Sequence, residues 1–184
     1  MTKTHTKLVL ALAAVAAALF AFGAGGAAAN GGRGGIGQVG TSALVNAAAS
    51  QLSVTSAKLK GAILDSALAR IDEAVADQDI SSTDAADLKD EARDNLIVSY
   101  RLSRASTVAS GLGITVTKLN DGFRAARKAL ILKKIDAAQT AGKITADQAA
   151  QLKAQLDKVT LPGYKPGLGL AGLADRTGAK GFRR

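Results

Sequence analysis

Apolar residues recur along two long stretches of the chain at a helical spacing. In the second stretch they fall at Leu119, Phe123, Ala126, Leu130, Ile131, Ile135 and Ala138, which keeps one face of an α-helix buried. In the first they fall at Leu59, Ile63, Ala67, Leu68, Ile71 and Val75. A shorter apolar-rich piece precedes each stretch, "SALVNAAASQL" at 42–52 and "LSRASTVASGL" at 102–112, and a third helix follows each. In the last of these helices Ala149, Leu152, Leu156 and Val159 share one face.

The elements come twice. "LSVTSAKL" (52–59) aligns with "LGITVTKL" (112–119) at an offset of 60, and "RIDEAV" (70–75) with "KIDAAQ" (134–139) at an offset of 64. The difference falls inside the long helix and is close to one helical turn, so the apolar face stays nearly in phase. Beyond it Ile80 pairs with Ile144, Ser81 with Thr145, and Leu88-Lys89 with Leu152-Lys153. Two copies, about 42–98 and 99–159, are read as a repeat. The expected fold is all-α, a helical bundle from a duplicated three-helix unit, with disordered N- and C-terminal segments. No Gly or Pro stands between Ile80 and Ser110. The third helix of copy one is therefore expected to run on into copy two, joining both copies in one domain.

The phrase "AGKITADQAAQLK" (141–153) reads as a helix-to-helix turn. Gly142 supplies the left-handed residue that ends the long helix. Ile144 precedes the cap, and Thr145 with Gln148 forms a capping box, the threonine accepting from the N3 amide while the glutamine reaches back. In copy one Ser81 and Asp84 take those places, and Thr55 and Thr115 are expected to cap the long helices.

These phrases carry a resemblance. "LGITVTKL" and "KIDAAQTAGKITADQAAQLK", behind an apolar leader, resemble an uncharacterised family of exported, actinobacterial-type helical repeat proteins with units of the form LG(V/I)(S/T)xxxL…(R/K)IDxAxxxGK(I/L)TxxQAxxLK. The likeness covers residues 104–157 well and 44–96 more loosely. It implies a helical fold and export, and brings no activity or catalytic residues. "ITADQ" is also similar to the LTxxQ phrase of small periplasmic helical chaperones, although a capping box behind an apolar residue accounts for it.

The N-terminus agrees with export. Lys3 and Lys7 precede an apolar run at 8–22, and Ala27-Ala28-Ala29 fits a small-residue cleavage rule, the layout of a secretory signal peptide over 1–29. An uncleaved anchor is the alternative, since 8–29 is nearly long enough to span a bilayer. Either way the folded part is expected outside the cytoplasm, secreted or in the cell envelope. Residues 30–41 read as a Gly-rich linker, and 160–184, with both prolines and many glycines, as a non-helical, largely disordered basic tail. The chain has no cysteine, so the fold is expected to hold by packing rather than by disulfides.

The only histidine is His5, inside the leader. A chain cleaved after Ala29 would lack the usual zinc ligands, His-based triads and cysteine nucleophiles. No serine sits in a recognisable nucleophile context, and the Gly-rich phrases lack the setting of a phosphate loop. Asp77 and Asp79 occupy positions 1 and 3 of a calcium loop, but Ser82 and Leu88 stand where glycine and glutamate are needed. No cofactor or metal is expected.

Charge is more informative. The formal net charge is +9, unevenly spread. Copy one (44–98) holds 5 basic and 10 acidic residues, the next section (99–158) 11 and 4, and the tail (159–184) 5 and 1. Oppositely charged halves can attract, within a chain or between chains. The basic end suggests a polyanion, either anionic cell-wall polymer or a lipid surface. The expected binding residues are Lys165, Arg176, Lys180, Arg183 and Arg184, with a fallback on Arg124, Arg127, Lys128, Lys133 and Lys134. Nucleic acid is disfavoured because aromatic residues are few and no recognition motif is present. The expected function is that of a non-enzymatic exported envelope or surface protein acting by binding. The alternatives are a small helical envelope chaperone and an enzyme of unrecognised class.

Overall fold

The computed structural model describes residues 40–166. They form seven helices and, among the described residues, no strand. In chain order these are α1 (Thr41–Gln51), α2 (Ser56–Ala76), α3 (Ser82–Asp94), α4 (Leu96–Leu102), α5 (Ala105–Leu112), α6 (Val116–Thr140) and α7 (Ala146–Leu156). The fold is all-α, as the periodicity predicts. The expected leader, nearly all of the linker and the tail after Pro166 lie outside the described residues.

The chain divides into two compact units. One comprises residues 40–130 with 160–166, and the other residues 131–159. The division falls inside α6 rather than at the junction of the two sequence copies. In the larger unit α2 is the central helix, packing against α1, α3, α4 and α5. Its Leu59, Ile63, Ala67 and Ile71 are fully buried, each large one stabilising by about 1.5–3 kcal/mol. Ala67 and Ile71 form one cluster with Ala85, Leu88 and Ala92 of α3 and Val98 and Leu102 of α4. The first half of α6 adds Leu119, Phe123 and Ala126, all fully buried. Gly122 lets it pass α1, since a Cβ there would come within 2.4 Å of the Leu52 side chain. The smaller unit is a helical hairpin in which Ile135, Ile144 and Ala149 pack with the half-buried Ile131, Ala138 and Leu152.

The turns recur at the offsets read from the sequence. Thr55 accepts from the Lys58 amide at 3.1 Å, and Thr115 from the Lys118 amide at 3.1 Å. Ser53 and Gly113, 60 residues apart, are both left-handed, with φ of 57° and 69°. So are Gln78 and Gly142, 64 apart, with φ of 61° and 67°. Each is followed by an amide that reaches back to close a Schellman-type helix end. These bonds are Val54 to Ala49 and Ile114 to Ala109, then Asp79 to Ala74 and Lys143 to Ala138. The long helices have 21 and 25 residues, so the change of offset lies between these two turns. Thr145 and Gln148 form the full capping box. At the matching place the Ser81 side chain accepts from the Asp84 amide, but the Asp84 carboxylate bonds the Ser81 hydroxyl instead of its backbone.

Three expectations need correction. The third helix of copy one does not run on: it stops at Asp94, and α4 and α5 follow as separate helices. Polar side chains make breaks that need no Gly or Pro. Asn95, in extended backbone, accepts from the Ile97 amide at 3.0 Å, and the Ser99 hydroxyl donates to the Ala92 carbonyl. At the second break Arg70 donates to the Leu102 carbonyl at 3.0 Å, and the Arg104 amide donates to Ser66 Oγ at 2.8 Å. Burial and the neighbouring Arg104 charge lower the Arg70 pKa. Second, Val159 is 58% exposed rather than on a buried face, because α7 ends at Leu156. Third, defined structure does not end at 160. Residues 161–166 are non-helical as expected, yet Tyr164 is only 5% exposed. An aromatic ring with places for its hydroxyl and its amide outweighs the backbone freedom of its Pro and Gly neighbours.

That strap has an internal counterpart. At the offset of 64, Tyr164-Lys165 stands over Tyr100-Arg101, so residues 160–166 correspond to α4. Pro162 and Pro166 remove amide donors and hold φ, which keeps the second segment from being a helix.

Candidate polyanion-binding surface

The place where the strap docks gathers the larger unit's aromatic residues. Tyr164 meets Phe123 edge-on at a centroid distance of 4.8 Å and Tyr100 at 4.9 Å, and Tyr100 lies 6.0 Å from Phe123. Edge-to-face pairs at such distances contribute about 0.5–1.5 kcal/mol each beyond the area they bury. Ser103, fully buried, shares a hydrogen bond with the Tyr164 hydroxyl and donates to the Tyr100 carbonyl at 2.8 Å. The Tyr164 amide donates to Asn120 Oδ1 at 2.9 Å, and the Lys165 amide to the Tyr100 hydroxyl at 3.3 Å. Gly163 is required by this approach, since a Cβ there would stand 2.5 Å from Asn120 Oδ1.

The electrostatics follow from burial. Desolvation pushes the Tyr164 phenol well above its ordinary pKa, against the opposing effect of its hydrogen bond with Ser103. The Tyr100 phenol is raised for the same reason. The charge of Arg127 and the Lys165 amide pull the other way.

The backbone of one basic residue and the side chain of another thus meet at one hydroxyl. Lys165 reaches Tyr100 through its backbone while its side chain stays exposed, and the half-buried Arg127 faces the same phenol. Asn120, Phe123, Arg124 and Arg127 follow one another over two turns of α6. Arg124 is exposed and paired with Asp121 at 2.8 Å. Of the other basic candidates, Lys128, Lys133 and Lys134 are exposed on α6, Lys128 in the larger unit and Lys133 and Lys134 in the hairpin. Arg176, Lys180, Arg183 and Arg184 lie outside the described residues. Gly142, Thr145 and Gln148 form the hairpin's turn.

Reading the sequence alone missed Tyr100, Ser103, Asn120, Gly163 and Tyr164 as one constellation. The Pro/Gly content of 160–166 concealed it, although the pairing of Tyr164 with Tyr100 at the repeat offset was legible.

Elsewhere the larger unit has a cleft of about 520 Å³ between α2 and α5, walled by Gly61, Ala62 and Gly111 and rimmed by Lys58, Asp65 and Thr107. Among the described residues no three His, Cys, Asp or Glu side chains converge as a metal site, and no helix is long and apolar enough to cross a membrane. The exposed large hydrophobic residues among them are Ile97 of α4, Val116 at the start of α6 and Val159 beyond the end of α7. No protein-family model matches the chain, and no curated protein and no solved structure matches it.

Proposed function

We propose that this is a non-enzymatic exported protein of the cell envelope or surface that binds anionic, phosphodiester-bearing polymer through its basic C-terminal end. The observation that carries the reading is the convergence of Lys165 and Arg127 on Tyr100. It holds the backbone of Lys165, the first basic residue of a C-terminal segment that also carries Arg176, Lys180, Arg183 and Arg184 in its sequence, near Arg127 of α6. The leader and the resemblance to exported repeat proteins support the extracytoplasmic setting. Clustered cations bind a polyanion by releasing its counterions, so affinity falls as salt rises.

The test uses the chain from residue 30, soluble poly(glycerol phosphate), and vesicles containing phosphatidylglycerol. Binding to the polymer at low ionic strength, weakening linearly on a log–log plot against salt, is expected. A chain ending at Pro166 should lose most of it with unchanged helix content, because it keeps the docked strap and removes only the tail. Equal binding by that shorter chain would move the interaction to Arg124, Arg127, Lys128, Lys133 and Lys134. Binding to vesicles alone would replace the polymer by a lipid surface. No binding to either rejects the reading.

A further inference from the structure

We infer that residues 160–166 form a latch that assembles the anion-binding surface, with Tyr164 as its positioning residue. The inference rests on the polyanion reading and adds how the site is put together. The surface comes in two parts: α6 with Arg124 and Arg127, and Lys165. The chain reaches the larger unit a second time only after residues 131–159, and the residues between Leu156 and Lys165 are non-helical, so covalent connection alone does not fix where Lys165 stands. The latch removes that freedom. Tyr164 fills the slot between Phe123 and Tyr100 and bonds Ser103, across 61 residues of sequence. Its amide is held by Asn120 and that of Lys165 by Tyr100.

The division of labour between neighbours is informative. Tyr164 is buried and neutral, and burial opposes its ionisation. Lys165, one residue on, is exposed. The latch is therefore an uncharged plug carrying a charged head, and the Tyr100 hydroxyl that receives the head's amide is the one Arg127 faces. Holding two cationic parts at a fixed separation raises the effective concentration of the second once the first has engaged the polymer. A residue with no charge thus controls how many charges act together.

The test compares Tyr164→Ala and Tyr164→Phe with the parent chain from residue 30, using poly(glycerol phosphate) across a salt series. Neither change alters charge. Tyr164→Ala is expected to weaken binding about five- to tenfold and to lower the log–log salt slope by about one, as when one phosphate is no longer neutralised. Tyr164→Phe keeps the ring packing and should stay within about twofold of the parent. Folding is followed by circular dichroism. Should Tyr164→Ala lose its helix signal, Asn120→Ala carries the same test, since it removes only the acceptor of the Tyr164 amide. It should lower affinity and slope while speeding hydrogen exchange at the Tyr164 and Lys165 amides. A parent that binds while a folded variant shows unchanged affinity and slope overturns the latch alone. A parent that does not bind overturns the function reading and this inference together.

Discussion

The hairpin of α2 with α3 and that of α6 with α7 share one local code but differ in what covers them. Both end the long helix on a left-handed residue, Gln78 or Gly142, and both restart on a hydroxyl cap, Ser81 or Thr145. Both tie their helices by an ion pair at the same repeat positions, Asp72 with Lys89 and Asp136 with Lys153. In the first hairpin, however, Val98 and Leu102 of α4 lie over Ala67, Ile71, Ala85 and Leu88. In the second, the core is Ile135, Ile144 and Ala149, and Leu152 remains half-buried where its counterpart Leu88 is buried. The counterpart of α4 is the strap, and it belongs to the larger unit. Local signals set a hairpin's turn and caps; the segment that follows decides whether the hairpin joins a larger core or stands as a unit of its own.

The largest expected effect comes from truncating the central isoleucine of each hairpin. Ile71→Ala should fall in the upper part of the roughly 2–5 kcal/mol range for such changes, and Ile135→Ala in the lower part, because fewer groups close over it. Urea unfolding of both variants decides, and equal costs would show that the second hairpin is as well covered as the first.

Alkaline pH should separate the two units next. Tyr100 and Tyr164 belong to the larger unit, and residues 131–159 hold no tyrosine. Burial raises both phenols above their unfolded value. The stability they contribute is complete below pH about 10 and is lost as pH climbs towards the folded pKa, by about 1.4 kcal/mol per pH unit for each phenol still protonated. Denaturation at mildly alkaline pH and at about pH 11 should show the larger unit weakening, with Tyr164→Phe flattening the decline. The same decline in the variant would remove Tyr164 from its cause.

The left-handed positions allow a reciprocal exchange. Gly142→Val should cost about 1–2 kcal/mol, whereas Gln78→Gly should stabilise by about 0.5–1 kcal/mol through relief of left-handed backbone. Thermal melts that move in the same direction would break the equivalence of the two turns. At the caps, Thr145→Ala should cost about 1 kcal/mol and Ser81→Ala somewhat less, since only the former dismantles a reciprocal box. The smallest effect belongs to the ion pairs. Both carboxylates are exposed and both lysines half-buried, and Lys89→Met or Lys153→Met should change stability by about 0.5 kcal/mol or less, shrinking further in salt.

What was legible in the sequence was local. Thr55, Thr115, Gly142, Thr145 and Gln148 announce their turns because capping and left-handed backbone depend on residues a few positions apart. The breaks at Asn95 and Ser103 were not legible. Their polar groups are met by Ala92, Ser66 and Arg70, so the second break depends on a helix more than 30 residues away. Gln78 and Ser53 take a conformation their side chains disfavour because the surrounding turn bonds demand it. The site was half legible. The cations could be counted, but their assembly depends on Tyr164 finding Asn120 and Ser103 across 44 and 61 residues.

The re-entry of residues 160–166 into the larger unit also sets an order of events during synthesis. A chain emerging from its N-terminus can form the α2–α3 hairpin from local contacts, but the slot beside Phe123 stays empty until Tyr164 arrives after the whole of 131–159. Closing so long a loop carries an entropic cost, and contacts of high sequence separation slow folding. Tyr164 can therefore seat only after every residue that lines its slot has been made. A nascent chain arrested before that residue would expose Tyr100 and Phe123, surfaces that a finished molecule keeps covered.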